Sequence, residues 1–153
     1  MAAYKDLSKY IYRSSRHKSL NIGWLGPKSK VTFDSSSPLI DKEFLEKLYI
    51  LCTERRVNIL RGLHECDFCK VKKNTGEIRV FGKGKIYAAP TMIYHYVKNH
   101  SYVPPEQFIK AVKNCSPLSS EYEAKVQSLQ LEFSKVSQED LKLTDLTDKA
   151  IEE

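Results

Sequence analysis

No stretch of this sequence approaches the run of about 18 apolar residues that marks a membrane-spanning helix. Nor is Met1-Ala2-Ala3-Tyr4-Lys5-Asp6 followed by the apolar core of about 7–15 residues that a secretory signal requires. These absences lead us to expect a soluble cytoplasmic protein without a membrane partner. Glycine and proline are scarce, six of each in 153 residues, and no repeat or low-complexity tract is visible. Collagen-like, linker-like and solenoid architectures are thereby excluded. An apolar share of 41% against 29% charged residues is also not the signature of a disordered chain. The length suits one domain or one domain plus an appendage, enough to bury a core without disulfides.

Charge is divided unevenly. Residues 1–116 carry 21 Lys and Arg against 10 Asp and Glu, whereas residues 117–153 carry 4 against 9. A basic body attracts nucleic acid, an acidic protein, an anionic surface or its own acidic tail. We divide the chain into a basic, Tyr-rich segment 1–19, a central domain 20–116, and an acidic C-terminal helix and tail 117–153.

Apolar periodicity predicts an α+β fold, with a small antiparallel sheet and several packing helices. Phe44, Leu45, Leu48, Leu51 and Cys52 form one face of a helix over 41–56, capped by Asp41 and ending in Arg55 and Arg56. Further helices are expected near 91–99, 105–114 (opened by Pro104-Pro105) and 119–136. The last has Tyr122, Val126, Leu129, Phe133 and Val136 on its face, with Leu118 just before it. It should dock on the body or on a second copy, and the tail beyond it should fray. Tyr4, Leu7 and Ile11 suggest a short N-terminal helix. Residues 20–25 and 57–60 read as strands. A hairpin pairs 77–81 with 85–88 around Gly82-Lys83-Gly84.

Four cysteines are present. Cys52 and Cys115 lie in or beside helical apolar patterns and read as small buried hydrophobes. Cys66 and Cys69 form a Cys-x-x-Cys pair, followed by the hairpin and then by a helix carrying His95 and ending near His100. Two thiolates from a turn and two imidazoles from a helix end make a tetrahedral donor set suited to one structural Zn2+. The four-residue gap between His95 and His100 is within the usual range. Five helical steps rotate by roughly 140°, so His100 should sit where the helix loosens. The 25 residues between Cys69 and His95 exceed the interval of compact fingers, and the hairpin takes up the excess. His64, in His-x-Cys-x-x-Cys, is an alternative fourth ligand or a partner of a ligand.

Catalytic patterns are missing. The deaminase order of His-x-Glu before Pro-Cys-x-x-Cys is reversed, and His-Glu-x-x-His does not occur. If only three ligands bound, Glu65 or His64 could serve as a base in a metal-dependent hydrolase. The expected function is therefore a zinc-stabilised protein-binding module of regulator, adaptor or toxin-neutralising type, without catalysis. The alternative is nucleic-acid binding through Lys5, Lys9, Arg13, Arg16, Arg79, Lys83 and Lys85, with interleaved tyrosines stacking on bases.

Several motifs stand together. Gly23-Trp24-Leu25 precedes Gly62-x-His64-x-Cys66-x-x-Cys69 and Gly76-Glu77-Ile78-Arg79-Val80. Tyr87-Ala88-Ala89-Pro90 leads into Ile93-x-His95-Tyr96-Val97-x-x-His100-x-Tyr102-x-Pro104-Pro105-x-x-Phe108-x-x-Ala111-Val112. Over residues 20–113 the chain resembles a family of small uncharacterised bacterial proteins. The resemblance implies a common fold and a shared site that includes His64, Cys66, Cys69, His95 and His100, but no reaction. Residues 1–19 and 117–153 fall outside it.

Overall fold

The computed structural model describes residues 3–11, 18–34, 36–59 and 63–134. Along the chain run β1 (Ser19–Asn21), β2 (Thr32–Phe33), α1 (Lys42–Glu54), β3 (Leu63–Glu65), β4 (Lys73–Thr75), β5 (Glu77–Gly82), β6 (Lys85–Pro90), α2 (Ile93–His100), β7 (Tyr102–Val103), α3 (Glu106–Lys113) and α4 (Ser120–Ser128). Helices and small sheets alternate irregularly, so the fold is α+β. No helix among the described residues is long and apolar enough to cross a membrane.

The hairpin of β5 and β6 is the centre. It is longer than expected, pairing from Gly82 with Lys85 to Glu77 with Pro90. Only Lys83 and Gly84 form its turn, with φ of 42° and 77°, and positive φ at both positions matches the right-handed twist of the strands. β1 adds to β6 in parallel, Ser19 against Ile86, giving the order β1-β6-β5. The expected antiparallel sheet is thus mixed. More than 60 residues separate β1 from β6, ample for the crossover that parallel pairing needs. Two short antiparallel pairs, β2 with β7 and β3 with β4, flank this sheet.

The helices cover it. α1 buries Phe44, Leu48, Leu51 and Cys52, and Asp41 caps it by accepting the Phe44 N–H at 2.9 Å. α3 buries Phe108, Ile109, Ala111 and Val112 between α1 and β5. Arg56 lies beyond the helix end rather than in its last turn. It is buried, and its Nη1 donates to Thr75 Oγ1 at 3.0 Å.

Four expected elements differ. The strand expected over 20–25 is confined to Ser19–Asn21, and Gly23 leaves extended geometry at φ of 74°. Residues 3–11 form no helix. Leu7 has φ of 69°, Lys9 bridges to Leu20, and Ile11 is exposed. Tertiary partners override the local periodicity there: Asp6 accepts from Gly23 N–H at 2.9 Å and from the Tyr102 hydroxyl at 2.6 Å. In place of a strand over 57–60 there is a single bridge from Val57 to Glu77, ended by Asn58 at φ of 54°; Leu60 lies outside the described residues. The C-terminal helix stops at Ser128, half its expected length. Gln130 turns the chain at φ of 62°, and Phe133 returns to stack on Tyr122 at 6.1 Å. Val126 and Tyr122 are buried, whereas Leu118 is exposed. The Tyr122 hydroxyl donates to the Arg79 carbonyl at 2.6 Å, and Ser134 N–H to the Arg56 carbonyl at 2.7 Å. The helix therefore docks on the body of its own chain. The reading of residues 137–153 as a tail lies outside the described residues, as does Val136.

A second small core surrounds Trp24, whose indole N–H donates to the Ala88 carbonyl at 2.9 Å. Beside it Glu77 is buried and accepts from the Tyr10 hydroxyl, from Asn58 Nδ2 and from Arg79, the last at 2.9 Å. Burial, and next the Glu77 charge, push the Tyr10 phenol up to about 12, so it stays a neutral donor. This network joins the N-terminal segment to β5, and its charge is paired rather than isolated.

Gly76, at φ of 91°, lets β4 pass into β5 directly beneath Arg56. A Cβ there would collide with Arg56 Cγ and Cδ and lie 3.1 Å from the Val57 carbonyl. Gly76→Ala should therefore cost about 1–3 kcal/mol in urea unfolding. Gly84→Ala, with nothing within 4 Å, should cost only the backbone strain of about 1–2 kcal/mol. Equal stability of the Gly76 variant and wild type would contradict this packing.

Candidate metal centre

β3 and β4 are short arms around a tight loop, with Leu63, His64 and Glu65 against Thr75, Asn74 and Lys73. The loop is closed by Cys66 N–H to the Lys72 carbonyl and by Lys70 N–H to the Cys66 carbonyl, both 2.9 Å. Lys70 takes φ of 62° to make that turn. The result holds the Cys66 and Cys69 sulfurs toward α2.

From α2 come His95 and His100. His100 is the last helical residue, and Ser101 leaves the helix in the left-handed region at φ of 60°. The helix thus ends immediately after His100 rather than loosening at it. The two Nε2 atoms lie 3.0 Å apart. His95 Nε2 is 3.4 Å from Cys69 Sγ, and His100 Nε2 is 3.4 Å from Cys66 Sγ. One donor atom from each of these four residues lies within 4.8 Å of all the others, close enough to hold one metal ion. Cys66 and His95 are buried, while Cys69 and His100 are half-buried.

His64 stands apart from this cluster. It is buried, and its Nε2 is 2.6 Å from the Tyr96 hydroxyl, with the Trp24 ring on another side at 6.2 Å. Burial raises the Tyr96 phenol, which is therefore neutral. Tyr96 is adjacent in sequence to His95, so it links His64 to the site through the helix. Nothing in the spacing of His64 and Tyr96 foretold this bond. Phe68, between the two cysteines, was also missed. Its ring is 5.4 Å from His100, 5.8 Å from Tyr96 and 5.7 Å from Phe33. An apolar residue inside a polar turn was the available signal.

The two thiols differ. Burial raises Cys66. Burial also acts on Cys69, but the Lys72 and Val71 N–H groups and the two imidazoles outweigh it and lower this thiol to about 6. Cys52 is buried, and Cys115 is half-buried with its thiol pushed up to about 11 by burial.

The residues considered for nucleic acid are scattered. Lys5, Lys9, Lys83 and Lys85 are exposed. Arg79 is buried against Glu77, with its guanidinium 4.7 Å over the Tyr10 ring. Neither Arg79 nor Tyr10 is on the surface. Arg13 and Arg16 lie outside the described residues.

The chain belongs to a family described as a domain of unknown function (DUF7919), whose model matches residues 2–113. The family's domain thus takes in the N-terminal segment that the motif resemblance left out, in keeping with the ties of Asp6 and Tyr10 to the body. No curated protein and no solved structure matches the chain.

Proposed function

We propose that this chain is a small zinc-stabilised protein-binding module of the cytoplasm, of regulator, adaptor or toxin-neutralising type. One structural Zn2+ is held by Cys66, Cys69, His95 and His100. The observation that carries this reading is the meeting of two sulfurs and two nitrogens from separate elements within 4.8 Å. With Zn–N of about 2.0–2.1 Å and Zn–S of about 2.3 Å, tetrahedral geometry separates two nitrogens by about 3.3 Å and nitrogen from sulfur by about 3.6 Å. The distances of 3.0 and 3.4 Å are close to that. A two-sulfur, two-nitrogen tetrahedron favours zinc over metals that prefer oxygen or square-planar donors.

A structural role fits the count of donors, because four protein ligands fill a tetrahedron and a catalytic zinc keeps one position for water. The supporting contrast with a metal-dependent hydrolase lies in its two candidate bases. His64 is engaged with Tyr96, and Glu65 lies on the surface 3.7 Å from Lys73. Support for a protein partner comes from Phe33 and Phe68, both exposed apolar rings, in edge contact beside His100. The nucleic-acid reading retains Lys5, Lys9, Lys83 and Lys85 but loses the buried Arg79.

Purified protein should contain one zinc per chain by elemental analysis. Cys66→Ser or His95→Ala should lower zinc affinity by at least about tenfold, because one of four bonds is lost and even a lost partner of a ligand costs about 10–100-fold. Cys52→Ser and Cys115→Ser should leave stoichiometry intact, and His64→Ala should weaken affinity less than loss of a ligand does. Protein without metal, melting identically with and without chelator, would overturn the reading.

A further inference from the structure

A groove of about 620 Å³ lies between the hairpin tip and α3. Its walls are Phe81, Tyr87 and Ala111, and its rim carries Lys83, Lys85 and Lys110. Lys110 is 3.2 Å from Glu106, which also lines the groove, whereas Lys83 and Lys85 are exposed and have no ion-pair partner among the described residues. An apolar trough with a cationic rim suits a segment that mixes acidic and apolar side chains. It suits a nucleic acid less well. Tyr87 is buried edge-on to Phe108, and the Phe81 ring is taken up by Tyr122 and by Lys125 at 5.9 Å, so no open aromatic face is offered to a base.

The chain itself contains such a segment. Residues 135–153 hold six acidic residues against three lysines, with Leu141, Leu143, Leu146 and Ile151 among them. The described chain also ends close by. Phe133 stacks on Tyr122 at 6.1 Å, and Tyr122 meets Phe81, a groove wall, at 6.0 Å. At most about 12 Å separates these outer rings, roughly four residues of extended chain at 3.3–3.6 Å each. The 19 residues that follow Ser134 are more than enough to reach and fill the groove.

We propose that residues 135–153 bind in the groove between the hairpin tip and α3 of their own chain, acidic groups on the lysine rim and leucines in the trough. The tail then acts as a built-in occupant of this surface, at the high effective concentration of a short tether. An acidic segment of another protein would have to displace it. This inference does not depend on the metal, and its readouts do not report on metal content.

The test uses the full-length protein at low ionic strength. Amide hydrogen exchange of 135–153 should be several-fold slower in wild type than in Lys85→Glu/Lys110→Glu, which alters only exposed side chains. Leu141→Ser/Leu146→Ser, which leaves every charge in place, should also speed exchange. Carbodiimide cross-linking should join Lys83, Lys85 or Lys110 to carboxylates of 139–153, with yield unchanged on tenfold dilution. Yield should fall in about 0.5 M salt, where surface charge is screened over a few ångströms. Equal tail exchange in all three proteins would overturn the proposal. So would cross-links found only between differently isotope-labelled copies, which would assign the groove to a second copy.

Discussion

The fold turns on one convergence. Two sulfurs from a loop and two imidazole nitrogens from a helix are brought together from parts of the chain that are each too small to stand alone. β3 and β4 have three residues apiece, below the length at which a hairpin persists in water. α2 has eight residues, short of the roughly 12–15 at which an isolated helix becomes even marginal. Holding Cys66 and Cys69 against His95 and His100 joins these two pieces across the long hairpin. These four donors could hold one metal ion, which would offset the crowding of two nitrogens at 3.0 Å and favour the deprotonated forms of the ligands.

Around that convergence, buried polar groups do the orienting. His64 and Tyr96 meet at 2.6 Å beside the Trp24 core, fixing the helix face next to His95. Glu77 gathers Tyr10, Asn58 and Arg79 and draws the N-terminal segment onto β5. Both networks satisfy their members, which specifies a unique arrangement where an apolar core alone would tolerate sliding. The basic excess of the body is consequently partly internal: Arg56 and Arg79 are buried and spent on structure.

Much of this was legible in the sequence, for identifiable reasons. The three- and four-residue steps of Phe44, Leu48, Leu51 and Cys52 lie on one helix face whatever surrounds them. The glycines around Lys83 announce the hairpin. The order Cys66, Cys69, His95, His100 picks out all four converging residues because ligand chemistry permits so few side chains. What was not legible depends on tertiary distance. The parallel pairing of β1 with β6 leaves no local trace. The Tyr4, Leu7, Ile11 spacing is outweighed by Asp6 finding Tyr102, almost a hundred residues away. The apolar spacing that predicts a helix over 119–136 runs past Ser128, but the chain turns at Gln130 and Phe133 packs back on Tyr122, a tertiary contact that the spacing does not reveal.

The most direct measurement is X-ray absorption spectroscopy of the zinc-loaded protein. The account predicts a four-coordinate shell of two sulfurs at about 2.3 Å and two imidazole nitrogens at about 2.0–2.1 Å, reduced by one nitrogen in His100→Ala and unchanged in His64→Ala. A shell with an oxygen in place of one of these donors, or one that loses a nitrogen with His64 and not with His100, would contradict it.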